Sequence, residues 1–419
     1  MSEPIVLARA VHFAASALAV GTVSFLALVA EPAFGTGGGK VLGALRRRCD
    51  LMIWTALGIA VLSGAAWLAL LAADIYGAPV IAVSLHGGLG QVLIGTRFGT
   101  MWLARLGLAA ALAALLPWPD LRWLHLALAG SFMALLALVG HAGATPGPAG
   151  AFDIVFDAVH LLAAAAWLGG LPGLALLLAS VRQPKGLAAR AAARFSALGI
   201  ASVGALLLTG IINSWNLLSG PADLITTAYG RLLALKIGLF ALMLAIAAVN
   251  RFHLTPLLAG LQARRALSRN SLAETGLGLG VLLLVGALGT MQPTAHKHLP
   301  PLDIPADAAF VHIHTEEAMA DVTIDPGHTG PATASIRLMH EDLSDYPTAA
   351  VRLALEAPRR GPPPQNRLAV RQTDGTWRVD GLAFPEAGNW TVRVIVREPS
   401  GAPLVLDAPI VIAPAGTEK

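Results

Sequence analysis

Residues 277–316, LGLGVLLLVGALGTMQPTAHKHLPPLDIPADAAFVHIHTE, hold the point at which one kind of chain becomes another. The first part is the end of an apolar run near 271–291, long enough to cross a bilayer as a helix. A Pro-rich stretch follows, and from about Pro300 apolar and polar residues alternate with the period of a half-buried strand. Charge divides at the same place. Residues 1–299 hold 19 Lys/Arg and 9 Asp/Glu, a net of +10, whereas residues 300–419 hold 10 and 16, a net of −6. The whole chain is 55% apolar and only 13% charged, about half the charge of an ordinary soluble protein. The sequence predicts an all-α polytopic membrane domain over 1–292, a linker over 293–302 and a small all-β sandwich over 303–415.

Working back from the seam, eight stretches are long and apolar enough to span: 5–30, 50–73, 97–116, 121–141, 152–179, 195–218, 230–252 and 271–291. The first lacks a basic n-region and runs long before any Pro-Gly break, so it reads as a retained helix rather than a cleaved signal. Lys40, Arg46, Arg47, Arg48, Arg122, Arg182, Lys185, Arg190, Arg194, Arg251, Arg264, Arg265 and Arg269 lie in alternate connections. Those 13 of the domain's 19 basic residues place these loops in the cytoplasm. Both ends of the domain, and the acidic tail, are then expected in the periplasm. The same loops account for the basic pI near 9.6, so nucleic acid is not an expected partner.

Ionisable groups at membrane depth are costly and mark functional sites. Arg9, Arg97, Arg105, Arg231 and Lys236 are of this kind, Arg97 and Arg9 reading better as snorkelling residues. Sorted by depth, His12, His86, His141 and His160 fall in the outer leaflet or at its mouth. Asp153, Asp157 and His160 share one helix face by their i, i+4, i+7 spacing. A carboxylate beside an imidazole orients it for metal binding. The joint expectation is an outward-facing polar cavity lined by His12, Asp157, His160 and His141, with His86 at its rim. One cysteine, Cys49, excludes a disulfide or a CxxC site, which leaves imidazole, carboxylate and thioether as metal donors.

The run from Arg190 carries the most specific signal: RAAARFSALGIASVGALLLTGIINSWNLL at 190–218 and TTAYGRLLALKIGLFALMLAIAAVNRFHLTPLL at 226–258. With RAVHFAASALAVGTVSF at 9–25 and AVHLLAAAAWLGGLPGL at 158–174, it resembles the copper-resistance D family of bacterial inner-membrane proteins. The resemblance covers most of residues 1–290. It implies transport or handling of copper across the inner membrane, with copper received from a periplasmic chaperone or a fused β-domain. It also implies His12 and His160 as the leading copper ligands. The chain has fewer methionines near the outer mouth than the family often carries, which leaves Cu(I) and Cu(II) both open. A b-type haem held by paired histidines and assembly of a copper-containing oxidase are the alternative readings.

In the tail, seven alternating runs broken by Gly and Pro read as an antiparallel sandwich, with Asp374-Gly375 as a hairpin turn. It is similar to the cupredoxin-like or immunoglobulin-like modules that accompany copper-resistance D proteins. His312 and His314 project from one strand face, and His296 and His298 follow the last helix; all four are candidate metal ligands. No nucleophile with a paired base is evident, and Gly37-Gly38-Gly39-Lys40 lacks the Ser/Thr of a phosphate loop. An enzyme is not expected.

Overall fold

The computed structural model describes residues 3–35, 39–76, 79–85, 87–139, 147–180, 184, 186–218, 220–291, 304–305, 307–315, 318–340, 344–357, 364–397 and 403–416. Two compact units result, residues 1–298 and 299–419. Among the described residues of the first, eight helices are long and apolar enough to cross a membrane: helix 1 Glu3–Phe34, helix 2 Gly39–Ile75, helix 3 Arg97–Leu115, helix 4 Pro119–Leu138, helix 5 Ala151–Ala179, helix 6 Leu187–Trp215, helix 7 Ala228–Leu257 and helix 8 Leu261–Leu288.

Several helices run past the apolar stretches that announce them. Helix 2 includes Arg46, Arg47 and Arg48, which the charge pattern assigns to a loop. Arg46 is held there by Glu31 of helix 1, whose Oε1 accepts at 2.6 Å, so the helix continues beyond its apolar part. Helix 5 contains a Gly169-Gly170 break, after which Pro172 sits in the first turn of Leu171–Ala179. A Gly pair followed by Pro is a recognised cause of such a break.

Helix 1 is the hub. It packs against helices 2, 4, 5 and 8, while helix 5 packs against 1, 4, 6 and 8. Buried residues make up 83% of helix 1's apolar window against 11% for helix 7, so helix 1 is an interior element and helix 7 a lipid-facing one. Small residues allow this, because lipid supplies no hydrophobic drive between helices and close backbone contact has to hold them. At the crossing of helices 1 and 5 a side chain on Gly21 would strike the carbonyl of Ala165 and the backbone of Gly169. One on Gly169 would strike the carbonyl of Ala17.

The second unit is a pair of antiparallel sheets. Its strands are β1 Ala309–His314, β2 Met319–Asp325, β3 Gly330–Met339, β4 Ala350–Glu356, β5 Gln365–Leu368, β6 Val370–Arg371, β7 Trp377–Phe384, β8 Gly388–Arg397 and β9 Leu404–Ile412. The orders are β1-β2-β3-β7-β6 and β5-β4-β8-β9. Alternate residues point inward and form one core around Trp390, Phe384, Ile324, Ile336 and Val394. Six of the expected runs are single strands. The seventh, from Asn366 onward, becomes β5, β6 and β7, because the chain changes sheets at the buried Ala369, whose N–H donates to Val351 O at 2.8 Å. Strand β7 carries an extra residue opposite Ala332–Ala334, and Gly381 at φ +73° supplies the left-handed conformation such a bulge uses. The hairpin forms at Asp374-Gly375, with Gly375 at φ +87°. Thr376 donates its hydroxyl at 2.7 Å and its N–H at 2.9 Å to Asp374 Oδ1. These bonds hold the Asp374 carboxyl below its ordinary range.

Candidate functional site

His12 lies 12 positions into the chain on the buried face of helix 1 and is 3% exposed. Its Nδ1 is 2.9 Å from the carbonyl of Ala60 on helix 2. A carbonyl only accepts, so Nδ1 carries the proton. Nε2 is then the lone-pair atom, and Arg105 Nη2 of helix 3 donates to it at 3.0 Å. The same nitrogen donates to Ser16 Oγ at 2.9 Å, and Nη1 donates to the carbonyl of Phe132 on helix 4. The guanidinium also stacks over the Phe132 ring at 3.9 Å. Ser63 Oγ approaches His12 Nδ1 at 3.4 Å, and the Trp67 edge closes the ring's side at 5.8 Å. Arg9 lies over the same Trp67 at 4.8 Å. Both imidazole nitrogens of His12 are therefore satisfied from within, and the one that would ligate a metal is taken by a cation. A small cavity there is lined by His12, Ala60, Trp102, Arg105 and Phe132 among others; Asp157 and His160 do not line it.

His160 meets different conditions. Thr209 of helix 6 donates its hydroxyl to Ala205 O at 2.6 Å, so its oxygen receives the proton of His160 Nδ1 across 2.8 Å. The Nε2 lone pair remains, and no group among the described residues donates to it. Lys236 of helix 7 makes no hydrogen bond or ion pair to His160 or Asp157. Asp157 stands one turn before His160 on helix 5. Trp167, farther along the expected stripe, packs edge-on against Phe240 at 5.9 Å.

The two histidines so belong to separate settings, His12 within helices 1 to 4 and His160 within helices 5 to 7. Among the described residues no three His, Cys, Asp or Glu side chains gather as a metal cage. His312 on β1 pairs through Nδ1 with Asp321 Oδ1 of β2 at 2.6 Å. His314 is two positions along the same strand. His86, His141, His296 and His298 fall outside the described residues.

Sequence reading left out Ser63 and Thr209, the hydroxyls that face the two rings. Their signal was present: each is a small polar residue followed by glycine, Ser63-Gly64 and Thr209-Gly210, inside an apolar helix. It also left out Glu274, 1% exposed, which accepts from Asn250 Nδ2 at 2.6 Å, while Asn250 accepts from Asn270 at 2.8 Å. Such a carboxylate needs internal donors because the membrane offers none.

Comparison with known proteins places this architecture. The profile described as Copper resistance protein D-like, N-terminal domain, matches residues 1–151, and that of Copper resistance protein D matches residues 189–288. The protein named Copper transport protein CutJ, from Bacillus subtilis (strain 168), is 28% identical over 325 residues, which cover 74% of this chain and 57% of that relative. Inner membrane protein YebZ of Escherichia coli (strain K12) is 33% identical over 208 residues, 48% of this chain and 71% of the relative. Copper resistance protein D of Pseudomonas syringae pv. tomato is 33% identical over 216 residues, 47% and 69%. The chain spans a little over half the length of the first of these and more than two thirds of the other two. Eight apolar helices and such relatives make it a multi-pass inner-membrane protein. Matched along its helices by both profiles in order, the chain belongs to the copper resistance protein D family.

Proposed function

We propose that the protein binds copper at His160 and passes it across the inner membrane, with both termini and the β unit on the periplasmic side and without catalysing a covalent step. The observation that carries this reading is the Nε2 lone pair of His160, which no internal donor uses. A neutral imidazole with Nδ1 fixed by an outer partner is the ordinary form of a histidine metal ligand, and imidazole suits copper in either oxidation state. Asp157 supplies an anionic donor one turn away. His141 and His86, in connections on the periplasmic side, complete the path inward, and His296, His298, His312 and His314 bind copper before it reaches the helices.

The test is cellular copper content. His160→Ala is expected to change copper accumulation several-fold relative to wild type at equal membrane abundance. Accumulation equal to wild type at equal abundance would sink the reading.

A further inference from the structure

The two histidine settings are built on one pattern. On helix 1 the sequence Ala10-Val11-His12 leads nine positions on to Gly21; on helix 5 Ala158-Val159-His160 leads nine positions on to Gly169. The helices cross at those glycines in a reciprocal contact: Gly21 lies against Ala165 O, and Gly169 against Ala17 O, each four residues before the partner glycine. At 1.5 Å per residue both histidines stand about 13.5 Å from the crossing, at one height.

The second helices repeat the pattern. Ser63-Gly64 faces His12, and Thr209-Gly210 faces His160. So do the third. Helix 3 begins with Thr96 Oγ1 accepting from Gly99 N at 3.1 Å, and helix 7 with Thr227 Oγ1 accepting from Gly230 N at 2.9 Å. Nine positions after each capping threonine comes a cation, Arg105 in one helix and Lys236 in the other. Packing follows the same correspondence, since helix 1 touches 2, 4, 5 and 8 where helix 5 touches 6, 8, 1 and 4. Helices 1–4 and 5–8 are thus two copies of one four-helix repeat, in parallel orientation about an axis between helices 1 and 5. Many transporters are built from internal repeats of this kind.

The copies differ at both charged positions beside the histidine. Where the second has Asp157 and Lys236, the first has Arg9 and Arg105. The longer guanidinium reaches His12 Nε2, whereas Lys236 makes no hydrogen bond to His160.

We infer that each repeat carries the same cation-binding site, that the site of the second repeat is open to copper, and that Arg105 occupies the corresponding site of the first as a built-in substitute for the metal. The inference rests on the reading of His160 as a copper ligand. Arg105 fills the ligand position with charge already matched to the imidazole lone pair, and Arg9 in place of Asp157 removes the carboxylate that would favour a metal. The asymmetry gives the protein one loaded site beside one permanently filled site of the same build.

Exchanging the two cations tests this, because Lys236→Arg and Arg105→Lys each keep their charge, and Arg9→Asp supplies the carboxylate that the second repeat has in Asp157. The full chain is purified in detergent, loaded with Cu(I), and its copper per chain is compared with wild type. His160→Ala is expected to lose one equivalent. Lys236→Arg is also expected to lose one, with His160 intact. Arg9→Asp combined with Arg105→Lys is expected to gain one, and the further change His12→Ala to remove it. Unchanged loading in His160→Ala would overturn the copper reading itself. A one-equivalent loss in His160→Ala with wild-type loading in Lys236→Arg would overturn only the present inference. Diethyl pyrocarbonate labelling, mapped by mass spectrometry, reads the same lone pairs without copper. His160 is expected to be modified and His12 protected in wild type, and the two to exchange behaviour in the exchanged variants. Equal modification of His12 and His160 in wild type overturns the inference.

Discussion

Arg105 Nη2 stands 3.0 Å from His12 Nε2 and 2.9 Å from Ser16 Oγ, so a guanidinium from helix 3 rests on neutral acceptors of helix 1. Among the described residues no carboxylate pairs with it. A buried cation without a counter-ion is costly unless it is hydrogen-bonded; here a carbonyl on helix 4 accepts from Nη1, while Nε is left without a partner. One side chain thereby ties three helices to a fourth, since His12 Nδ1 is bound in turn to Ala60 on helix 2.

That arrangement predicts a stabilising role for His12. His12→Phe keeps a ring of similar size but withdraws the Nε2 acceptor from Arg105. Hydrogen bonds to charged groups are worth about 1.5–3 kcal/mol, so unfolding in mixed detergent micelles is expected to shift by roughly 2 kcal/mol. Copper loading is expected to stay at the wild-type level, because the unengaged lone pair belongs to His160. A variant as stable as wild type would show that Arg105 finds another acceptor.

The helix 1 to helix 5 crossing makes a sharper demand. Gly21→Ala places a methyl group against the Ala165 carbonyl and the Gly169 backbone, neither of which can rotate away. Overpacking of this kind costs about 1–3 kcal/mol. Gly58 on helix 2 has open space where its Cβ would be, so Gly58→Ala is expected to be neutral or stabilising by up to about 1 kcal/mol through helix propensity. Thermal denaturation of the two variants, followed by helical circular dichroism, should separate them in opposite directions; equal shifts would remove the close crossing from the account.

Much of this was legible in the sequence, and the residues show why. Eight apolar runs and the change at Leu299 announce the two units, because membrane depth and strand alternation both act on local windows. His12, Asp157, His160, Arg105 and Lys236 stand out for an equally local reason, as rare polar groups in apolar helices. What does not show is which of them meet. His12 and His160 read as lining one cavity, yet the partner that decides each one's chemistry is 93 and 49 residues away in sequence. The division of residues 365–384 into three strands escapes for a similar reason: the change of sheet at Ala369 depends on a hydrogen bond to Val351 that no local pattern encodes.

The β unit has its own core, and Trp390 is at its centre. The residue is 1% exposed, packs edge-on against Phe384 at 5.0 Å and donates Nε1–H to Glu386 O at 3.1 Å. Trp390→Ala removes a large buried ring and is expected to cost about 3–5 kcal/mol. Because the helical unit does not share this core, limited proteolysis of the full chain should show the β unit cut readily and the helices still protected. Protection of both would mean that the sandwich closes over the gap.

Paired intramembrane histidines also invite comparison with b-type haem, and the structure gives that idea a specific obstacle. Bis-imidazole ligation requires a lone pair from each ring directed at one iron. His160 has one to give, but His12 offers its own to Arg105, and its other nitrogen carries the proton bound to Ala60. Haem between these residues would therefore have to displace a buried guanidinium that has acceptors on two helices. The protein purified from cells supplied with a haem precursor is expected to show no Soret absorption, in wild type and in Arg105→Leu alike. In the latter the lone pair is released, but the cavity beside His12 is one that His160 does not line. A Soret band abolished by His12→Ala or His160→Ala would overturn this and restore electron transfer as the function to be tested first.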